Sequence, residues 1–340
     1  MKAVCFQAFA AYLCVACGVS YAQKYVGSAA CAACHETEYK EQTASRMAHA
    51  LRPIEGSLIG EIMLKQGHSP DGRLTYGQSA NGIVVREKGF PDTVTLKWAF
   101  GTGKGSTAVG LLDGQYIAHR FSYYSQLKGL AVTFGHPPHP TSPITELGVL
   151  QDSRTIFRCF NCHGTNARVG PNGPVLTRYM PGVQCERCHG PGGAHVKAVK
   201  GGASPQAIRS TILNPGRFSP KALIEFCGQC HRLPEPDMGT RPELVNPVSV
   251  RFAPIGLLAS RCFRFSQKIS CLTCHNPHEN PAPRTDMSYT RACLACHADD
   301  PAPEKLCRRK EKENCLPCHM KQAFIGPYLQ FTDHRIRVYQ

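Results

Sequence analysis

The pentad Cys185-Glu-Arg-Cys188-His189 belongs to a Cys-x-x-Cys-His pattern that occurs seven times in this chain of 340 residues. The other six are Cys31-Ala-Ala-Cys34-His35, Cys159-Phe-Asn-Cys162-His163, Cys227-Gly-Gln-Cys230-His231, Cys271-Leu-Thr-Cys274-His275, Cys293-Leu-Ala-Cys296-His297 and Cys315-Leu-Pro-Cys318-His319. A cysteine pair alone would also suit zinc or a thiol redox site. Neither of these chemistries requires a histidine after every second cysteine.

The complete pentad is the attachment signature of a c-type haem. Its two thiols can form thioether bonds to the porphyrin, and the histidine that follows can bind the iron as the proximal ligand. The sequence therefore predicts seven covalently attached haems c. The proximal ligands are predicted to be His35, His163, His189, His231, His275, His297 and His319.

The first 22 residues have the pattern of a cleavable secretory signal. Lys2 is followed by an apolar run from Ala3 to Val19, and Ser20-Tyr21-Ala22 supplies small residues for cleavage. The run is shorter than the roughly 20 residues of a membrane-spanning helix. We expect a periplasmic or otherwise exported protein with no transmembrane segment in its mature form. Haem attachment outside the cytoplasm agrees with this prediction.

The formal net charge of +15 resembles that of a nucleic-acid-binding protein. Each haem, however, brings two propionate groups, and seven haems would nearly balance this charge. The densest basic run, Arg308-Arg309-Lys310, is also followed closely by Glu311 and Glu313. We therefore interpret the excess Lys and Arg as partners of propionates, and we expect no nucleic-acid partner.

The composition predicts four segments: a signal peptide (1–22), a first haem-binding segment (23–54), a β-rich insert (55–140) and a six-haem domain (141–340). A helix is expected at Glu36–Ala50. Six pentads lie between residues 159 and 319, which leaves too little polypeptide for an ordinary apolar core. The predicted fold class is an α+β multihaem cytochrome c, with little regular secondary structure and short helices and loops around stacked haems.

The insert is predicted to form an antiparallel sheet of four to six strands. Runs of β-forming residues begin at Leu74, Gly82, Thr93 and Tyr116. They are separated by the turn-forming pairs Asp71-Gly72, Asn81-Gly82 and Asp113-Gly114. The stretch 101–106 is rich in glycine, but it lacks the spacing of a phosphate-binding loop and is interpreted as a connection between strands.

Eight histidines lie outside the pentads and are candidates for the second axial ligand of each iron. The favoured candidates are His49, His136, His195, His278 and His334. His195 and His278 follow a pentad closely, but the porphyrin separates each from the far side of its own iron, so each is expected to bind a neighbouring haem. His119, His139 and His68 are weaker candidates.

Several strings resemble those of an exported bacterial family of multihaem cytochromes. They include Val183-Gln-Cys-Glu-Arg-Cys-His-Gly-Pro-Gly-Gly-Ala-His, Ser270-Cys-Leu-Thr-Cys-His-Asn-Pro-His and Phe331-Thr-Asp-His-Arg-Ile. Some members carry tetratricopeptide repeats after the haem region, which we do not expect in a chain that ends at Gln340. A more distant similarity is to the tetrahaem cytochromes that accept electrons from hydroxylamine oxidoreductase. The resemblance implies electron transfer through mostly bis-histidine haems.

Two main functions remain open. An electron carrier would exchange electrons with redox proteins or with quinol-oxidising membrane complexes. An oxidoreductase would instead reduce a small nitrogen or sulfur oxyanion at one open haem. A structural subunit of a haem filament is a third alternative. All seven pentads end in His, which favours the carrier. The two cysteines left in the mature chain, Cys262 and Cys307, either form a disulfide or remain separate thiols.

The first prediction concerns haem content. Mass spectrometry of the exported protein should show cleavage after Ala22 and the added mass of seven haems. An increment of six or fewer, with two free thiols in one pentad, would contradict the prediction for that pentad.

Overall fold

Alternating β-forming residues and tight turns build one antiparallel sheet in the first half of the chain. The computed structural model describes residues 24–234, 247–298 and 314–339. The strands of the sheet are β1 (Leu51–Pro53), β2 (Leu74–Ser79), β3 (Gly82–Glu87), β4 (Thr93–Phe100), β5 (Gly105–Leu112), β6 (Gln115–Tyr124), β7 (Gly129–Val132) and β8 (Gly148–Leu150). Strands β2 to β7 pair in sequence order, while β1 pairs with β4 and β8 pairs with β6.

The turn between β5 and β6 shows why these strands pair as a hairpin. Leu112 lies opposite Gln115, and only Asp113 and Gly114 remain between them. Both residues have positive φ angles, 47° and 78°. This left-handed pair is the backbone of a type I′ turn, which Asp and Gly tolerate better than other residues. The predicted Asp113-Gly114 turn is confirmed.

Twelve helices, most of them short, are present in the described residues. They are α1 (Glu36–Ala44), α2 (Leu58–Gln66), α3 (Pro143–Leu147), α4 (Ser153–His163), α5 (Cys185–His189), α6 (Gly193–Lys200), α7 (Pro205–Ser210), α8 (Pro220–His231), α9 (Ala253–Ala259), α10 (Arg261–Ser266), α11 (Met287–His297) and α12 (Leu316–His319). Short 3₁₀ turns occur at Ser28–Ala30, Pro215–Arg217, Pro247–Arg251 and Cys271–Thr273. None of these helices is long and apolar enough to cross a membrane.

Three short antiparallel strand pairs lie outside the main sheet in the described residues. Strand β9 (Gly164–Thr165) pairs with β12 (Met180–Pro181). Strand β10 (Arg168–Gly170) pairs with β11 (Gly173–Val175), and β13 (Gln322–Phe324) pairs with β14 (Gln330–Thr332). These pairs are too short to bury an apolar face, so they stabilise only the local connections between helices.

The apolar core is concentrated in the sheet. Ile54, Met63, Leu96, Ile117 and Leu147 are fully buried members of its largest cluster, which the sheet forms with α2 and α3. Burial of such side chains stabilises the fold by about 1.5–3 kcal/mol each. By contrast, a cluster in the C-terminal part has three buried members: Ile224, Leu257 and Phe263. The division agrees with the predicted fold class, which combines a β insert with a haem region of little regular structure.

Phe160 connects the two parts of the protein. It lies inside the second pentad, is fully buried, and makes edge contacts with the rings of Trp98, Phe100 and Tyr116 on the sheet. Tyr179 packs against it from the loop that follows. The pentad is therefore fixed to the sheet by an aromatic side chain between its own cysteines.

One sequence prediction differs from the structure. The helix expected at Glu36–Ala50 ends at Ala44, because Ser45 takes an extended conformation. The residues that follow leave the helix to bind distant backbone: the Val183 N–H donates to the Met47 carbonyl, 2.9 Å away. The predicted insert itself contains six strands, β2 to β7, which is within the four to six expected, and β1 and β8 join the sheet from outside it. The glycine-rich stretch 101–106 does connect two strands, as predicted.

The junction generates a stability prediction. Phe160→Ala should lower the free energy of unfolding by about 3–5 kcal/mol, because it leaves a cavity between the sheet and the second pentad. Phe265→Ala is the matched control; its ring is 79% exposed, so a change within about 0.5 kcal/mol is expected. Urea unfolding followed by far-ultraviolet circular dichroism measures both. Equal losses for the two variants would contradict the assigned role of Phe160.

Candidate haem-binding sites

Pentads 2, 3, 4, 6 and 7 lie on α-helical turns, pentad 5 begins as a 3₁₀ turn, and pentad 1 lies in the turn that precedes α1. Helices α4, α8 and α11 end with pentads, and each begins at a side-chain cap, provided by Asp152, Ser219 and Asp286 respectively. Such caps set where a helix starts, and the helical repeat then determines where its last residues point. Residues three and four apart share one helix face. Both thiols and the histidine of a pentad are therefore presented on the same side.

Three pairs of histidine rings have the separation expected of two ligands on one iron. A metal–imidazole nitrogen bond is about 2.0–2.1 Å and the ring centre lies about 1.1 Å further, so opposed axial rings are about 6.3 Å apart. The ring centres of His35 and His195 are 6.5 Å apart, with planes inclined by 27°. Those of His189 and His278 are 6.3 Å apart, with planes inclined by 12°.

The third pair joins the fifth pentad to the C-terminal segment. His275 and His334 have ring centres 6.4 Å apart, with planes inclined by 46°. In all three pairs one ring belongs to a pentad and the other is a histidine that the sequence analysis favoured as a distal ligand. Each distal ring comes from a segment that follows a different pentad. The donor set and its spacing fit a haem iron with two imidazole ligands.

Backbone carbonyl groups orient several of these rings. Among pentad histidines, Nδ1 of His163 bonds to the Ala50 carbonyl at 3.0 Å, and Nδ1 of His189 bonds to the Leu213 carbonyl at 2.9 Å. Since a carbonyl oxygen only accepts, Nδ1 carries the proton in each case. The other nitrogen, Nε2, then keeps a lone pair for a metal.

The same orientation occurs outside the pentads. Nδ1 of His334 donates to the Thr332 carbonyl at 3.0 Å, and Nδ1 of His195 donates to the Ile208 carbonyl at 3.2 Å. Burial also lowers the pKa of His334, as it does for the pentad residues His163 and His275. A lowered pKa keeps an imidazole neutral, which is the form that binds iron.

The other favoured distal candidates are not paired in this way. His49 is exposed, and its neighbour Ala50 is the residue whose carbonyl accepts from His163. His136 is partly buried; its Nδ1 is enclosed and has no hydrogen-bond partner in the described part of the chain. Burial, together with the charge of Arg120, lowers the pKa of His136 to about 4. Neither ring forms a contact with a pentad histidine among the described residues.

His119, a weaker candidate, has a structural role in the sheet. Its Nδ1 donates to the Leu147 carbonyl at 2.9 Å, and its Nε2 pairs with the Tyr76 hydroxyl at 3.1 Å. Both ring nitrogens are thus used within the protein. The side chain is completely buried and lies beside the ring of Phe121. No nitrogen remains for iron, so this geometry does not support His119 as a ligand.

Arg120, on β6, fixes a loop against the sheet. Its guanidinium forms a buried ion pair with Glu146 at 3.4 Å and donates to the Pro138 carbonyl at 3.1 Å. The Tyr124 hydroxyl likewise donates to the Val132 carbonyl. Tyr123 packs against the core of the sheet. These residues hold the loop that carries His136 against the sheet.

Thiols of different pentads lie next to one another. Thiols of different pentads are close enough to interact in four pairs: Cys31–Cys185, Cys162–Cys230, Cys227–Cys271 and Cys293–Cys315. Cys188 also lies close to Cys227 and Cys230, and Cys274 lies close to Cys293. These contacts connect pentads 1, 3, 4, 5, 6 and 7 in that order, with pentad 2 joined to pentad 4. Covalent haem attachment would replace the S–H bonds of these cysteines, but their side chains would remain neighbours.

The sequence analysis missed the role of Glu186, inside the third pentad. Its buried carboxylate accepts from the backbone N–H groups of Val26, Gly27 and Gly192 at 2.7–3.1 Å. These bonds fasten the N-terminal segment, and with it the first pentad, to the third. A charged residue at both variable positions occurs only in this pentad, which was an available signal.

The proposed partner of Cys262 cannot be placed, because Cys307 lies outside the described residues. Cys262 itself is partly buried and close to Cys293 and Cys296 of the sixth pentad. A disulfide between Cys262 and Cys307 therefore stays a prediction.

Known protein families and solved structures include proteins that are similar to this chain. The family described as cytochrome c554 and c-prime matches residues 141–190, which include the second and third pentads. The crystal structure of the outer cell wall cytochrome OcwA is similar, with a TM-score of 0.54 and 16% sequence identity, over 92% of this chain and 79% of that chain. The chain thus has the fold of a multihaem c-type cytochrome.

A second solved structure is more distant. It is an undecahaem cytochrome from the S-layer of Carboxydothermus ferrireducens, with a TM-score of 0.45 and 14% identity over 82% of this chain and 44% of that chain. No curated protein matches the chain. The assignment to the multihaem class therefore depends on the pentads, the family match and the first fold similarity.

The environment of His119 predicts a pH dependence. Burial lowers its pKa to about 3, from 6.5 in the unfolded chain. Between these values the unfolded chain binds a proton that the folded protein does not. This group should therefore lower the free energy of unfolding by about 1.4 kcal/mol for each pH unit of acidification below 6.5.

Comparison with His119→Gln isolates this contribution. The variant should be less stable near neutral pH, because Tyr76 and Leu147 lose well-placed partners. It should then lose less stability than the wild type between about pH 6.5 and about pH 5. Urea unfolding at several pH values measures both slopes, with the exposed His68→Gln as the control. Parallel slopes for wild type and His119→Gln would contradict the prediction.

Proposed function

We propose that this protein is an exported heptahaem c-type cytochrome that carries electrons between redox partners. The observation that supports this most strongly is the set of three histidine ring pairs at 6.3–6.5 Å. In this proposal the irons of pentads 1, 3 and 5 each have two imidazole ligands. When bound, the haems supply one-electron redox chemistry, and the protein's own residues attach, orient and connect them.

The predicted attachment residues are Cys31, Cys34, Cys159, Cys162, Cys185, Cys188, Cys227, Cys230, Cys271, Cys274, Cys293, Cys296, Cys315 and Cys318. The histidine after each pair is the proximal ligand. His195, His278 and His334 are proposed as distal ligands on the ring geometry above. His49 and His136 remain candidates on sequence grounds alone.

The contacts between pentads support conduction through the chain. Thiol neighbours connect all seven pentads. Haems attached at neighbouring thiols would lie close enough for electrons to pass between them. The proposed partners are redox proteins or quinol-oxidising membrane complexes, with no nucleic acid involved. Export is supported by the N-terminal signal pattern, and the similar OcwA structure is described as an outer cell wall cytochrome.

An enzyme acting on a small nitrogen or sulfur oxyanion is the second candidate. It is favoured by one observation: among the described residues, the rings of His163, His231, His297 and His319 have no second histidine ring at axial distance. An iron with one open coordination position could bind a substrate. The carrier is preferred because every pentad ends in His and because three irons have a complete ligand pair in the proposed arrangement.

The distal ligands can be tested one at a time. His195→Ala should keep all haems covalently attached, since no attachment cysteine changes, but should convert one iron per chain from low spin to high spin. Low-temperature electron paramagnetic resonance of the oxidised protein measures this change. His278→Ala should act in the same way on a different iron. His68→Ala is the control and should leave the spectrum unchanged; an unchanged spectrum for His195→Ala would exclude His195 as a ligand.

Carbon monoxide distinguishes the carrier from the enzyme. A six-coordinate iron must lose a histidine before a small molecule can bind, whereas an open position binds at once. If the protein is a carrier, carbon monoxide should leave the Soret band of the reduced protein unchanged on mixing. Rapid binding at about one haem per chain would support the oxidoreductase instead.

A further inference from the structure

Arg187 lies where three pentads meet. It occupies the second variable position of the third pentad, next to Glu186. Its Nε–H donates to the carbonyl of Asn161, inside the second pentad, at 3.1 Å. Its Nη2 contacts the sulfur of Cys230, in the fourth pentad, at 3.7 Å. One side chain therefore belongs to one pentad and touches two others.

The charge of Arg187 acts on all three of these pentads. The guanidinium interacts electrostatically with Cys162, Cys188 and Cys230, one cysteine from each. The guanidinium is a fixed positive charge with five N–H donors. The side chain is only partly exposed, so solvent and salt screen its charge less than that of a surface arginine.

No protein carboxylate forms an ion pair with Arg187 in the described part of the chain. The adjacent Glu186 accepts three backbone N–H groups of the N-terminal segment and of Gly192, so its oxygens are already occupied. The ion pairs found in the described residues do not include Arg187. The two variable residues of this pentad thus have different roles. The Glu186 carboxylate binds backbone N–H groups, and the Arg187 guanidinium contacts the neighbouring pentads.

We propose that Arg187 is a shared positive charge that raises the reduction potentials of the haems at the second, third and fourth pentads. The inference depends on the haem attachment proposed above. Reduction of each iron adds one electron and removes one positive charge, so a fixed cation nearby favours the reduced state. The fourth pentad is where the second joins the main series of contacts. Arg187 would therefore stabilise the reduced state of the haems around the fourth pentad, where the second pentad joins the others.

Three variants test the proposal. Arg187→Gln removes the charge and retains a polar side chain. Arg187→Lys keeps the charge but loses the planar guanidinium, whose fork of N–H groups contacts both the Asn161 carbonyl and the Cys230 sulfur. Arg154→Gln is the matched control, because it removes the same charge from an exposed position on α4, whose last residues form the second pentad. Spectroelectrochemical titration of the full haem-loaded protein measures the potentials, and mass spectrometry counts the haems.

In Arg187→Gln, the reduction potentials of three haems should become lower, which appears as a shift of their share of the titration curve. The curves of Arg187→Lys and Arg154→Gln should stay close to that of the wild type. An Arg187→Gln curve that matches the Arg154→Gln curve would overturn the proposal. So would equal shifts in the Gln and Lys variants, because the geometry of the fork rather than its charge would then be responsible.

Loss of haem from Arg187→Gln would also count against the proposal, since it would make Arg187 a folding contact and not a tuning charge. Failure of the proposed function has a different signature. In that case the wild-type protein itself would lack covalent haem at the second, third or fourth pentad, as its mass would show before any titration.

Discussion

The separation between paired imidazole rings is the constraint on which the rest of the architecture depends. In the proposed arrangement, one iron would lie between His35 and His195, whose ring centres are 6.5 Å apart, and another between His275 and His334, whose ring centres are 6.4 Å apart. Each pair joins segments that are far apart in sequence. The backbone between them must therefore close around the gap, and short capped helices with tight loops can do this where long elements cannot.

The two halves of the protein differ in what stabilises them. The sheet buries a conventional apolar core and needs no cofactor to account for its packing. The C-terminal part has much smaller apolar clusters, as expected if porphyrins supply the missing contacts. Phe160 joins these regimes, because it is part of a pentad and also a core residue of the sheet. A substitution of Phe160 would therefore disturb the packing of both the sheet and the second pentad.

The histidines show how a structural imidazole differs from a ligand. His119 uses both nitrogens for protein hydrogen bonds and is sealed inside the sheet. His163, His189, His195 and His334 use Nδ1 for a backbone carbonyl, which leaves Nε2 available. The presence of histidine is therefore a weak indicator of ligation, and the partner of its second nitrogen is a strong one.

The sequence by itself determined the features that depend on local spacing. These include the seven Cys-x-x-Cys-His pentads, the Asp113-Gly114 hairpin and the expectation that His195 and His278 face the histidine of another pentad rather than their own. Only the tertiary structure decided which rings face each other, that the first helix ends at Ala44, and that Arg187 touches three pentads. The physical reason is that residues three or four apart are positioned by the helix they share, whereas ring pairs and carbonyl acceptors come from distant segments. Every residue has a backbone carbonyl, so an acceptor of this kind has no signature in the sequence.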